Sequence, residues 1–180
     1  MIETERLVLR RWREEDLVPF GRLNADPEVM AWYGSGPVGE RETADRIAGF
    51  EAHFEAHGFG IWAVERRSDG QFLGFSGLRH LSAENHPMSP CIEAAWRQAR
   101  FAWGRGYATE AASAAFADGF ERVGVETIWA WTPVLNLRSQ AVMKRVGMTH
   151  RPTRDFDPPS LSAGHRLRPH MVFSIGRSSA

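Results

Sequence analysis

Between residues 103 and 124 the chain reads WGRGYATEAASAAFADGFERVG, two glycines and an arginine followed at once by an alanine-rich run. This juxtaposition limits the possible folds more than any other feature. Alanine has the highest helix propensity. Ala108, Ala111, Ala115, Phe116 and Phe120 fall on one side of the expected helix, and Gly124 ends it. The segments on either side, CIEAAWRQ (91–98) and ETIWAWTPV (126–134), read as strands. Strand, loosened loop, helix and strand in that order point to a layered α/β or α+β domain.

The remaining segments fit such a domain. RLVLRRW (6–12) alternates like a half-buried strand, with Leu7, Leu9 and Arg10 in alternation. Residues 13–33 carry a helical pattern broken near Asp26-Pro27, after which Trp32 and Tyr33 look exposed. Ile47, Phe50 and Phe54 predict a helix over Glu40–His57 that Gly58 stops. FGIWAVERRSDGQFLGFSGLRHL (59–81) reads as a hairpin about Ser68-Asp69-Gly70. NLRSQAVMKRVG is a short helix with Asn136 as its cap and Gly147 beyond it. A loop from Pro158 to Gly164 precedes a last strand, HMVFSI.

At 180 residues the expectation is one domain over 1–180. Twenty-two basic residues balance twenty-two acidic ones, so no net field draws the chain to nucleic acid or an anionic membrane. The amino-terminal segment has no signal-peptide pattern, and no run reaches transmembrane length. Cys91 is the sole cysteine, so an internal disulfide is excluded and a reducing cytoplasm is the expected location.

Glycines before a helix let the backbone approach a ligand, and free amides with the helix dipole favour an anion such as a pyrophosphate. A nucleoside-triphosphate loop requires Lys and then Ser or Thr after its last glycine, whereas Gly106 is followed by Tyr107 and Ala108. A dinucleotide loop requires a glycine where Thr109 stands, although Glu126 lies at a suitable distance beyond. On the loop alone, that option and a plain turn both stay open.

The stretch EAAWRQARFAWGRGYATEA, followed by NLRSQAVMKRVGM, resembles the GNAT acetyltransferases, and within them the RimJ/RimL-like branch that acetylates ribosomal-protein amino termini. TERLVLRRWREEDL and FDPPSLSAGHRLRPHMVF resemble that branch's opening and closing segments, so the likeness covers nearly the whole chain. The resemblance implies a mixed, twisted sheet flanked by helices, in which two central parallel strands splay apart to admit acetyl-CoA. By the same resemblance, the backbone of Trp96, Arg97 and Gln98 lines the pantetheine arm. Trp103, Gly104, Arg105, Gly106, Tyr107, Ala108 and Thr109 form the diphosphate loop, and Asn136 and Ser139 lie near the thioester. Gln98 stands where relatives carry leucine. Met143 stands where many relatives carry the tyrosine that protonates the sulfur, which leaves Ser139 as the hydroxyl in register.

The implied reaction is attack of a neutral primary amine on a thioester. An α-amine has a reference pKa near 7.7 and lysine near 10.4, so freeing the lysine nitrogen costs about 3.7 kcal/mol more. That difference favours a protein amino terminus as acceptor. A small-molecule amine (a polyamine, an antibiotic or an amino acid) is the alternative, as is an acyl-CoA sensor without catalysis. Glu93 is the candidate base, and Trp32, Tyr33, His165 and His170 are candidate acceptor contacts. The protein is expected to act as a monomer or homodimer. His53 and His57 sit four apart without the zinc-protease pattern or a third ligand, and read as solvated surface.

Overall fold

The computed structural model describes residues 1–177. Helix α4 (Tyr107–Asp118) follows directly on Gly106, whose φ of 80° places it in the left-handed region that suits glycine. Ala111 and Ala112 are fully buried against the sheet, and their small side chains let the helix lie close upon it. One flank of α4 meets Leu7, Leu9, Val64 and Leu73; the other meets Ala94, Ile128 and Ala130. The helix loses its α geometry where Gly119 meets the sheet. Residues Gly119–Val123 form a π turn, closed by the left-handed Gly124.

The sheet beneath has eight strands: β1 (Ile2–Glu3), β2 (Leu7–Arg10), β3 (Ile61–Arg66), β4 (Phe72–Leu81), β5 (Cys91–Gln98), β6 (Thr127–Pro133), β7 (Thr149–His150) and β8 (His170–Gly176). Their order is β1-β2-β3-β4-β5-β6-β8-β7. Every neighbouring pair is antiparallel except β5 and β6. Those two are parallel and pair only at Ile92↔Ile128 and Glu93↔Trp129. Beyond that point β5 continues to Gln98 with β4 alone, and β6 to Pro133 with β8 alone. The fork between them is the splay that the resemblance implied.

The second face of the sheet carries α1 (Leu17–Ala25), the short α2 (Pro27–Met30) and α3 (Glu40–His57). Here Phe20 and Phe50 pack with Trp12, Phe72 and Phe75. Arg10 ties this layer to the sheet. Its guanidinium donates to both oxygens of Asp16 at 2.7 and 2.8 Å and to Glu65 at 2.8 Å, with Arg10 and Asp16 both buried. Helix α5 (Leu137–Arg145) places Val142 and Met143 in the α4 core. Among the described residues no helix is long and apolar enough to cross a membrane.

Three details depart from the sequence-based expectations. The alanine helix is α only as far as Asp118 rather than to Gly124. The two-residue strands β1 and β7 escape a periodicity reading because two residues cannot display a period. His53 is half-buried, its Nδ1 2.8 Å from Phe59 O and its Nε2 accepting the His80 amide at 2.9 Å. It is therefore a structural side chain and not solvated surface.

Candidate active site

The fork opens onto a cleft of about 2310 Å³, more than twice the upper end of ordinary ligand sites and enough for two ligands at once. Glu93 sits at the fork, on the last residue pair that joins β5 to β6. It is 8% exposed, and burial pushes its carboxyl above the usual range, with the neighbouring Arg79 opposing the shift. Oε2 accepts Arg79 Nε at 2.6 Å, because the β4–β5 register sets Arg79 directly opposite Glu93. Oε1 accepts no hydrogen bond from the described residues, leaving one oxygen for the cleft.

At the other end of β5 the chain turns through Trp103–Gly106 into α4. Gly104 and Gly106 have φ of 74° and 80°. None of the main-chain N–H groups from Gly104 to Thr109 finds a partner among the described residues. A row of free amides at a helix start is a phosphate cradle in chemical terms. An arginine-carboxylate clamp fixes the row. Arg6 Nη1 donates to Arg105 O at 3.0 Å, and its Nε donates to Glu110 Oε2 at 2.7 Å. Thr4 and the Arg6 amide hold the other Glu110 oxygen, at 2.6 and 2.9 Å. Although burial acts the other way, these bonds hold the Glu110 carboxyl below its usual range. Gln98 adds a donor, since its Nε2 is buried at the cleft without a partner. These donors fit the diphosphate and amide groups of coenzyme A.

Across the fork, Asn136 caps α5. Its Oδ1 accepts the Ser139 amide at 3.3 Å, and its Nδ2 donates to Thr132 Oγ1 at 3.0 Å. Asn136, Ser139 and Met143 all face the cleft. The cleft also collects Trp32, Tyr33, Trp96, Arg97, Trp103, Tyr107, Ala108, Thr109 and His170 from the expected set. It does not collect Arg105, whose side chain is exposed and donates to Phe101 O at 3.3 Å. His165 is also outside, because its Nδ1 accepts the Leu167 amide at 3.2 Å within a turn.

Several lining residues were not legible in advance. His86, Trp131 and Phe156 join the expected His170 in a contiguous aromatic wall, with ring centroids 4.8 Å apart for His86–Trp131 and 5.6 Å for Phe156–His170. Burial lowers the pKa of His86 and His170 from the usual histidine value. Trp131 lies in a stretch that the sequence marks only as a strand. Arg79 could have been found by counting the hairpin and the following strand into register, whereas nothing local marks Arg6.

A family model described as "Acetyltransferase (GNAT) domain" matches residues 6–149. The uncharacterized protein YkkB of Bacillus subtilis is 32% identical over 151 residues, which cover 83% of this chain and 86% of that protein. The FsC-acetyl coenzyme A-N(2)-transacetylase of Aspergillus fumigatus is 29% identical over 166 residues, 83% of this chain and 70% of that enzyme. Among solved structures, an acetyltransferase of the GNAT family from Bacillus anthracis superposes with a TM-score of 0.79 at 22% identity, covering 98% of both chains.

Proposed function

Since the chain belongs to the GNAT acetyltransferase family and is an acyltransferase, we propose that it moves acetyl from acetyl-CoA directly to the primary amine of a protein amino terminus. The observation that carries this reading is the shared cleft. A buried carboxylate stands at the fork of β5 and β6, and a row of unpaired amides stands at the head of α4.

Acetyl-CoA would supply the acetyl group as a thioester, at whose carbonyl a free amine forms the amide bond as the carbon–sulfur bond breaks and the thiol leaves. The protein holds and orients. The amides of Gly104–Thr109 bind the diphosphate, and the unpaired edge of β5 from Trp96 to Gln98 lines the pantetheine arm. Gln98 Nε2 gives the arm a further donor. Glu93 Oε1 takes the proton that the attacking nitrogen gives up, directly or through one water, and Arg79 keeps the carboxylate in place. The Ser139 hydroxyl donates to the departing sulfur, whose thiol pKa near 8.5 makes it a fair leaving group. Asn136 acts mainly through structure, fixing the start of α5 so that Ser139 faces the cleft. Trp32, Tyr33 and His170 contact the acceptor.

The likeness of Trp103–Ala111 to the RimJ/RimL-like branch supports an amino-terminal acceptor. So does the low cost of freeing an α-amine. A small amine is the second reading, favoured by the relative whose name describes acetyl transfer to N(2) of FsC. We place the protein in the cytoplasm, a location supported by its single free cysteine, Cys91. The test is release of coenzyme A thiol on addition of acetyl-CoA with amino-terminal peptides or small amines. Turnover with peptides and not with small amines supports the reading, and the reverse overturns it. If calorimetry detects no association with coenzyme A, the cofactor assignment fails.

A further inference from the structure

Arg97 carries a charge that no carboxylate among the described residues matches. It lies on β5, on the same face as Glu93 and Ala95, and is only 6% exposed at the wall of the cleft. Nη1 donates to Asn24 Oδ1 at 2.5 Å, and Asn24 in turn donates to Thr43 Oγ1 at 3.1 Å. The guanidinium carbon lies 3.9 Å from the centroid of the Tyr33 ring and 5.3 Å from that of Phe75. No carboxylate among the described residues pairs with it. Among the described residues Nε is buried without a partner and Nη2 makes no hydrogen bond.

A neutral amide and two rings soften a buried charge without cancelling it, and an uncompensated buried ion is among the heaviest penalties a fold carries. Three other arginines of the cleft are matched, Arg6 by Glu110, Arg79 by Glu93 and Arg46 by Glu42. Arg97 differs from them in being both buried and unmatched.

We propose that Arg97 receives a carboxylate of the acceptor. On the reading of Glu93 as the base for an amino-terminal amine, the acceptor is then a peptide segment with an acidic residue at its third or fourth position. The spacing sets the position. Four residues of β5 advance about 13 Å at about 3.3 Å each, and both side chains point to one face. The acceptor's own α-carboxylate lies far too close to its amine to reach both groups. An extended peptide covers up to about 3.5 Å per residue, so a side-chain carboxylate two or three residues along bridges the gap. Tyr33, which stacks on the guanidinium, is 37% exposed and lines the cleft. A polycation is correspondingly disfavoured beside this charge.

The test measures binding by calorimetry to the full chain saturated with coenzyme A, so that no acetyl can move. The probes are the tetrapeptide amides AAEA and AAAE, each against its glutamine counterpart. An acidic peptide is expected to bind about 10- to 100-fold more tightly than its counterpart, the range for a hydrogen bond to a charged group. Arg97→Gln should reduce the ratio to near one, and Arg97→Lys should keep part of it. Should Arg97→Gln not fold, the wild-type comparison decides alone. Equal binding of acid and amide peptides, or no binding of either at millimolar concentration, overturns the proposal. An acid preference without thiol release from acetyl-CoA would keep the anion site and sink the transferase reading. Thiol release equal for both peptides would do the reverse.

Discussion

Glu93→Gln separates catalysis from structure. The replacement keeps the side-chain volume, and its carbonyl oxygen can still accept Arg79 Nε. Arg79 is 44% exposed at its side chain, so the pair is screened on one side and its loss costs about 1 kcal/mol or less. Removing a buried charge offsets even that, so the melting temperature should hardly move. Turnover should fall about 100- to 10,000-fold, the usual share of a positioned general base, which equals about 3–5 kcal/mol. The pH dependence gives the sharper test. Burial raises the Glu93 pKa, so the wild-type rate should climb with pH through a value above the ordinary glutamate range. The gap between the two proteins should therefore be widest above that value and close below it, where wild type is protonated too. Thiol release at saturating acetyl-CoA from pH 5 to 9 measures this, with a single N-terminal peptide as acceptor. The acceptor amine titrates alike for both proteins, so a variant that turns over within threefold of wild type, or whose ratio to wild type stays constant from pH 5 to 9, refutes the assignment of Glu93 as base.

Gly106→Val forces a β-branched residue into a φ of 80° and sets a Cβ 3.3 Å from Arg6 Nη2. It should weaken coenzyme A binding at least tenfold by calorimetry and cost about 1–2 kcal/mol of stability; unchanged affinity would remove the loop from the cofactor site. Asp16→Ala leaves the buried Arg10 with Glu65 as its one hydrogen-bonded carboxylate among the described residues, and should cost about 3 kcal/mol, lowering the melting temperature by about 6–12 °C in a chain of this size. A loss below 1 kcal/mol in urea titration would show that the ion pair does not anchor α1. Burial depresses the pKa values of His53, His86 and His170. The unfolded chain therefore takes up protons first as pH falls through about 6.5, so urea midpoints should be flat between about pH 7 and 8 and decline from about 6.5 to 5.5. His53→Gln should flatten part of that decline, and a slope unchanged by the substitution would exclude His53 as a contributor.

The cores of the long elements were readable because their patterns are local. Glu40–His57 and Cys91–Gln98 match their expected ranges residue for residue, since a helix of 18 residues and a strand of eight show their own period and stops. Gly104 and Gly106 were legible for a different reason, because glycines ahead of an alanine run have few structural uses. The partners that tune the site were legible through strand register at best, and otherwise not at all. Arg79 meets Glu93 through strand register, Arg6 reaches Glu110 across 104 positions, and Asn24 reaches Arg97 across 73. Such pairings are decided by topology, which no short window of residues contains. His53 was misjudged on the same ground, since its bonds to Phe59 and His80 come from elements that follow it.

The two residue pairs that join β5 to β6 divide the sheet into unequal halves, five strands on one side and three on the other. Each half is stitched internally, but between them runs a seam whose banks keep polar groups that an ordinary sheet would consume. An extended ligand laid along that seam would take the place of a ninth strand. Occupation of the seam would thus also finish the architecture of the sheet, and should raise the stability of the whole domain.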